Sequence, residues 1–198
     1  MTLIRQWSLE TAGKENMMRH RNINEVNKDW LKQVITSDSV IVDATAGNGH
    51  DTLFCAGIAK HVYAFDIQKE AIENAKIRTS DFSNITYVLD SHATLNQYIH
   101  TPIDGIIFNL GYLPTSDKST ITQAESTLTA CNQALELLSS RGFMLITCYL
   151  GHPGGANEAA AVKQWIDTHF FAYQSYTYEN VSLAPISYFI EKRHRILD

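Results

Sequence analysis

The apolar positions follow two spacings. In residues 22–36, NINEVNKDWLKQVIT, the side chains of Ile23, Val26, Trp30, Leu31, Val34 and Ile35 recur near helical spacing. That predicts an amphipathic helix laid over a core. Short continuous apolar runs follow at residues 39–43, 61–66, 85–89, 104–109 and 142–149, rich in Val, Ile and Phe. Runs of this kind predict strands buried on both faces. Helices are predicted between them from about Asp51, Gln68, Ser91 (a short one), Ser119 and Asn157. Strand and helix in repeated alternation imply a parallel sheet with helices on both faces. The last section breaks the rhythm. Residues 172–179 and 186–192 read as two strands, and the link between them is too short for a crossover helix, so they are expected to be antiparallel.

The chain has 198 residues, 44% hydrophobic and 19% charged, which suits a folded domain and argues against disorder. Repeats, low-complexity tracts and Pro/Gly-rich linkers are lacking, so a single domain is expected over residues 1–198, with residues 1–36 as an N-terminal helical extension. No apolar run approaches the roughly 18 to 20 residues that span a bilayer. The first twenty residues mix charges throughout and do not resemble a signal peptide. The expectation is a cytoplasmic protein with no membrane partner. Cys55, Cys131 and Cys148 are far apart and read as reduced thiols in or near the core. The eight histidines show no metal-ligand spacing, so no metal site is expected. Net charge is -5, but residues 1–36 carry six Lys/Arg against four Asp/Glu, while the rest carries ten against seventeen. A basic N-terminal face on an acidic body is compatible with docking a folded RNA; ordinary surface scatter accounts for the same numbers.

The segment Val40-Ile-Val-Asp-Ala-Thr-Ala-Gly-Asn-Gly-His-Asp-Thr52 carries the most chemistry. A strand ends at Asp43, a glycine-rich turn follows, and a helix starts near Asp51. Ligands of such sheets bind beyond the carboxyl ends of the strands. A dinucleotide enzyme would favour a third glycine to seat a pyrophosphate, and here that position is Thr52. S-adenosylmethionine has no phosphate. It carries an amino acid, a sulfonium and a nucleoside, and a carboxylate at Asp43 can face its ammonium. The second strand ends in Asp66-Ile67-Gln68, with the acid 17 residues after Gly49, where a carboxylate can hold both ribose hydroxyls. The third ends in Asp90-Ser91-His92, a polar cluster where an adenine amine could be recognised. Each acid taken alone is more often a helix N-cap. Three at successive strand tips beside a glycine turn point to S-adenosylmethionine as cofactor. The expected cofactor-binding set is Asp43, Thr45, Gly47, Asn48, Gly49, Asp51, Asp66, Ile67, Gln68, Asp90, Ser91, His92, Asn109 and Leu110.

The fourth strand leaves as Asn109-Leu-Gly-Tyr112-Leu-Pro114, next to the first strand across the switch in strand order. Asn109-x-x-Tyr112 resembles the (Asn/Asp)-Pro-Pro-Tyr element of amino-methyltransferases, with Leu-Gly in place of Pro-Pro. A nitrogen nucleophile must aim its lone pair at the methyl, so acceptors must pin its N–H groups. The Asn109 side-chain oxygen and the Leu110 carbonyl are candidates, and Tyr112 can stack on a flat substrate. Asp117 either caps the next helix or holds or deprotonates a substrate amine. His152, in Gly151-His-Pro-Gly-Gly155, is a loop residue or a proton relay. The expected catalytic set is Asn109, Tyr112, Asp117 and His152.

These strings resemble a small bacterial family labelled as rRNA methylases, whose MnmM-type branch methylates tRNA. The matching residues are Asp43 to Thr52, Phe65 to Gln68, Asn109 to Pro114 with Asp117 to Ser119, and the Gly151 to Gly155 turn; the likeness covers about residues 20–193. The resemblance implies a Rossmann-like class I methyltransferase fold, a seven-stranded, mostly parallel α/β sheet of order 3-2-1-4-5-7-6. It also implies an S-adenosylmethionine-dependent N-methyltransferase that converts wobble 5-aminomethyl-2-thiouridine of tRNA to its methylaminomethyl form. Its partners would be the tRNA anticodon region and a second copy in a homodimer. An rRNA base amine, a small-molecule amine and a non-catalytic RNA-binding module remain as other readings of the residues.

Overall fold

The computed structural model describes residues 21–111, 124–169 and 172–192. Its first element is helix α1 (Ile23–Val34), which the Asn22 side chain caps by accepting the Asn24 N–H at 2.9 Å. There follow β1 (Val40–Asp43), α2 (His50–Ala56), β2 (His61–Asp66), α3 (Lys69–Arg78), β3 (Ile85–Leu89), a single 3-10 turn (His92–Thr94), α4 (Leu95–Tyr98) and β4 (Ile103–Leu110). Then come α5 (Ala124–Leu137), β5 (Leu138–Cys148), α6 (Gly155–Thr168), β6 (Tyr173–Thr177) and β7 (Ile186–Glu191). The strands form one seven-stranded sheet in the order β3-β2-β1-β4-β5-β7-β6. The first five run parallel, and β7 pairs antiparallel with both β5 and β6. The expected order and the antiparallel ending are thus present.

Alternate residues of each central strand feed opposite layers. Val42, Ile106, Phe108, Met144 and Ile146 pack towards α5 and α6, with Ala130, Ala134, Val162 and Trp165. Ile41, Val62, Ile107, Phe143 and Leu145 pack towards α1 and α2, with Leu31, Ile35 and Cys55. Both faces are apolar because both are covered, which is why the strands read as continuous runs. Gly105 makes room within this packing, since a Cβ there would fall 2.2 Å from the Phe143 ring, which stacks on Phe189. All three cysteines are buried free thiols, as expected.

Some boundaries differ from the sequence pattern. Helix α1 stops at Val34, because Ile35 is already extended. Strand β5 begins at Leu138, through a register shift that pairs Leu138 with Ile103 before Gly105 meets Phe143. Ser139, Ser140 and Arg141 carry no strand signal of their own. Helix α6 starts at Gly155, earlier than Asn157, with Gly154 capping it at φ 84°. The expected helix start at Ser119 lies outside the described residues. No helix among the described residues is long and apolar enough to cross a membrane, and no His/Cys/Asp/Glu group there could hold a metal.

Candidate functional site

A cavity of about 610 Å³ opens at the carboxyl ends of β1, β2, β3 and β4. β1 lies between β2 and β4, so the connections leaving it diverge and a crevice forms there. The loop after β1 shapes its floor. Gly47 and Gly49 sit at φ 51° and 76°, a region costly for any residue with a Cβ. Its backbone N–H groups are mostly consumed within the fold. Ala44 donates to Ile107 O, Thr45 to Asp43, Ala46 to Phe65 O, Gly47 to Asp66 and Gly49 to Ala46 O.

The three acids predicted at strand tips do different work. Asp43 is fully buried. One of its oxygens accepts the Thr52 hydroxyl at 2.6 Å and the other accepts the Thr45 N–H at 3.2 Å. Burial, followed by the nearby Asp51 charge, pushes its carboxyl up to about 7. It does not line the cavity. The expected contact with an ammonium is therefore replaced by an internal brace, because Thr52 reaches back from α2. Asp66 does line the cavity while accepting the Gly47 and Gln68 N–H groups, both at 2.9 Å. Burial raises its pKa, and those two N–H groups and His92 oppose the rise. Each of its oxygens keeps a second lone pair. Asp90 accepts the Tyr98 hydroxyl at 2.8 Å and the Ser91 N–H at 2.7 Å, led by the former in lowering its pKa.

Ser91 caps the 3-10 turn through the Ala93 N–H. His92 is buried, with Nδ1 3.1 Å from the Ala44 carbonyl oxygen. A carbonyl only accepts, so Nδ1 carries the proton and Nε2 is a bare acceptor. Burial lowers its pKa, against the Ala44 carbonyl and the Asp66 charge, and Nε2 has no partner among the described residues. Ile67 is 55% exposed beside it, an apolar shelf on the cavity wall. Gln68 completes this end, and Asn48, on the bend after β1, accepts from Asn74 at Oδ1 at 3.2 Å.

At the other end stands Asn109. Its N–H donates to Thr45 Oγ1 at 2.7 Å, and its side-chain Nδ2 donates to the Asp51 carboxylate. Its Oδ1 is buried without a partner among the described residues. Burial raises the Asp51 pKa, and the Asn109 donation, Lys28 and His50 pull it back. The expected role of Leu110 is altered: its side chain is buried, its carbonyl accepts the Tyr149 N–H at 3.1 Å, and it does not line the cavity. His152 is buried beside the cavity and not in its lining; its Nδ1 is 3.1 Å from the Pro153 carbonyl oxygen, and it packs against Gly155. Tyr112 and Asp117 lie outside the described residues.

Sequence reasoning passed over several lining residues: Asn24 and Lys28 on α1, His50, Gly111, Ser126 and Tyr149. Asn24 and Lys28 are one helical turn apart on the polar side of α1, a spacing that reads equally as a solvated face. Tyr149 follows β5, and its position at a strand tip was the available signal.

The cavity suits S-adenosylmethionine. One end offers acceptors and an apolar shelf for a nucleoside, and the acids suit a cation. The family model described as "Putative rRNA methylase" matches residues 62–191. A chloroplastic tRNA (mnm(5)s(2)U34)-methyltransferase of Arabidopsis thaliana is 31% identical over 198 residues, covering 87% of this chain and 70% of that protein. A crystal structure of a putative rRNA-methylase from Clostridium thermocellum shares 33% identity at a TM-score of 0.82, covering 87% of this chain and 98% of that one. A putative methyltransferase from Streptococcus mutans, solved in complex with SAH, shares 38% identity at a TM-score of 0.79 with the same coverage.

Proposed function

We propose, on the premise that this chain belongs to the rRNA methylase family, that its acceptor is the 5-aminomethyl group of wobble 5-aminomethyl-2-thiouridine in tRNA. The protein is an S-adenosylmethionine-dependent methyltransferase. The cofactor supplies an electrophilic methyl group on a sulfonium. The residues of this chain hold that cofactor and orient the acceptor.

Asp66 accepts the ribose hydroxyls on its free lone pairs. Ile67, Gln68, Asp90, Ser91 and His92 surround the base, and Thr45, Gly47, Asn48 and Gly49 form the bend beneath the amino-acid portion. Asn109 carries the acceptor assignment. An ionised Asp51 can only accept, which matches the Asn109 NH2 facing it and Oδ1 facing the other way. That buried, unpartnered oxygen accepts an N–H of the incoming amine and aims its lone pair. In-line displacement draws much of its rate from such positioning.

A primary aliphatic amine has a pKa of about 10.4 and arrives protonated. It must lose a proton before attack, and the Asp117 carboxylate, read from the sequence, takes it. Asp51 is the carboxylate that the described structure brings to Asn109, and it fixes the amide that receives the amine. Tyr112 and Asp117, read from the sequence alone, extend this site as a stacking ring and a second carboxylate. His152 supports the rim beside Gly111. The family resemblance extends the proposal to a homodimer acting on the anticodon region.

Radiolabelled methyl transfer tests the reading. With purified protein and tRNA from cells lacking the terminal methylation, label should enter the wobble nucleoside. Label in rRNA or in small-molecule amines, with none at the wobble position, would contradict it.

A further inference from the structure

The methionine portion of S-adenosylmethionine is a zwitterion, and the cavity treats its two charges unequally. Three carboxylates line the walls, Asp51, Asp66 and Asp90. These favour the ammonium and repel the α-carboxylate. Backbone N–H groups often receive such a carboxylate; in this loop those of Ala44, Thr45, Ala46, Gly47 and Gly49 are already donated within the fold, which leaves Asn48 and the first turn of α2, beside the Asp51 carboxylate, as backbone donors. A carboxylate left in this cavity without a donor would be destabilised by desolvation.

Among the described residues, a single Lys or Arg lines the cavity: Lys28. It is half-buried, and it forms no ion pair with a described carboxylate. Its Nζ sits 5.8 Å from the Phe54 ring centroid, a contact that steers the ammonium without neutralising it. The helix that carries it is fixed to the sheet. The Ile23 N–H donates to the Tyr178 hydroxyl at 2.9 Å, and buried Asn27, the residue just before Lys28, donates to Thr147 on β5 at 2.9 Å. Thr147 is in turn 2.9 Å from Ser187 on β7. Lys28 also stands near Asp51, at the Asn109 end, away from the nucleoside acceptors.

We propose that the Lys28 ammonium binds the α-carboxylate of the cofactor's methionine portion. This rests on the cofactor assignment and is independent of which RNA is the acceptor. The side chain serves as an anchor that sets the depth of the amino-acid end, and α1 becomes part of the cofactor site.

Calorimetry with two ligands tests it: S-adenosylhomocysteine and its decarboxylated analogue, which keeps the ammonium and nucleoside and lacks only the carboxylate. The wild-type protein should bind the first at least about tenfold more tightly, the scale of one charge-assisted hydrogen bond. Lys28→Met and Lys28→Gln should bring the two affinities within about threefold of each other, and Lys28→Arg should restore most of the preference. Melting temperatures of the variants check that they are folded. A preference for the carboxylate-bearing ligand that survives unchanged in both neutral variants would overturn the assignment. So would an equal loss for both ligands. Failure of the wild-type protein to bind S-adenosylhomocysteine would instead defeat the cofactor reading itself.

Discussion

At Asn109 one amide group is pinned at its nitrogen and open at its oxygen. The nitrogen donates to Asp51, and the oxygen is buried with no partner among the described residues. A buried acceptor left unmade costs about 1–3 kcal/mol, which points to an unmet ligand contact. If Asp51 acts through this amide, the two residues form one unit. Asn109→Ala is expected to lower the single-turnover methyl-transfer rate at saturating cofactor by about 100-fold, and Asp51→Ala by about tenfold. In the Asn109→Ala background, removing Asp51 should then cost no more than about twofold. A full, independent cost in the double variant would mean that Asp51 has its own contact with the reacting amine. The acids also show where reading a sequence by residue type stops. Asp43 and Asp66 look alike, each an acid at the tip of an apolar strand. One is turned inward and the other lines the cavity, and the difference lies in Thr52, whose hydroxyl reaches Asp43 from the next helix.

The loop between β1 and α2 works as an element because glycine lets it pass close to α3. Gly49 sits at φ 76°, and a Cβ there would lie 2.7 Å from the Ala75 Cα, which is backbone and cannot swing aside. Gly49→Ala should therefore destabilise the protein by about 2–4 kcal/mol, the sum of left-handed strain and overpacking. Gly151→Ala is the matched control, with open space around the site and an expected change under about 0.5 kcal/mol. Urea unfolding of the pair reads this directly, and equal stabilities would contradict the close packing of loop and helix. Elements are legible in the sequence where burial dictates composition. The central parallel strands β1, β4 and β5 are apolar on both faces, and all five parallel strands are recognisable within a few residues. Strand β5 extends beyond its apolar run, because Leu138 already pairs with Ile103, and the polar Ser139, Ser140 and Arg141 fall in the register shift between that pair and the Gly105–Phe143 pair. The part of α1 in the cavity is illegible for another reason. Asn24 and Lys28 look like solvated residues on a polar face, and only the docking of α1 on β5 through Asn27 turns that face inward.

Across the whole molecule, the sheet order concentrates the site. The crevice beside β1 brings together residues of β2, β4, α1, α2 and α5 and of the segments that follow β1, β2, β3, β4 and β5. This order is legible from the family resemblance and from the short link before residue 186, too brief for a crossover, so that β7 has to run back against its neighbours. The acids lining the cavity suit a cationic ligand on a protein of net charge -5. For the proposed tRNA substrate, the same charge makes non-specific binding weak, so recognition would come from shape and from the pocket. A crystal structure with S-adenosylhomocysteine tests this arrangement most directly. The account predicts the ribose hydroxyls on Asp66, the base beside Ile67 and His92, and the sulfur on the side of the cavity faced by the Asn109 oxygen. A nucleoside lodged elsewhere, or an Asn109 oxygen turned away from the sulfur, would contradict it.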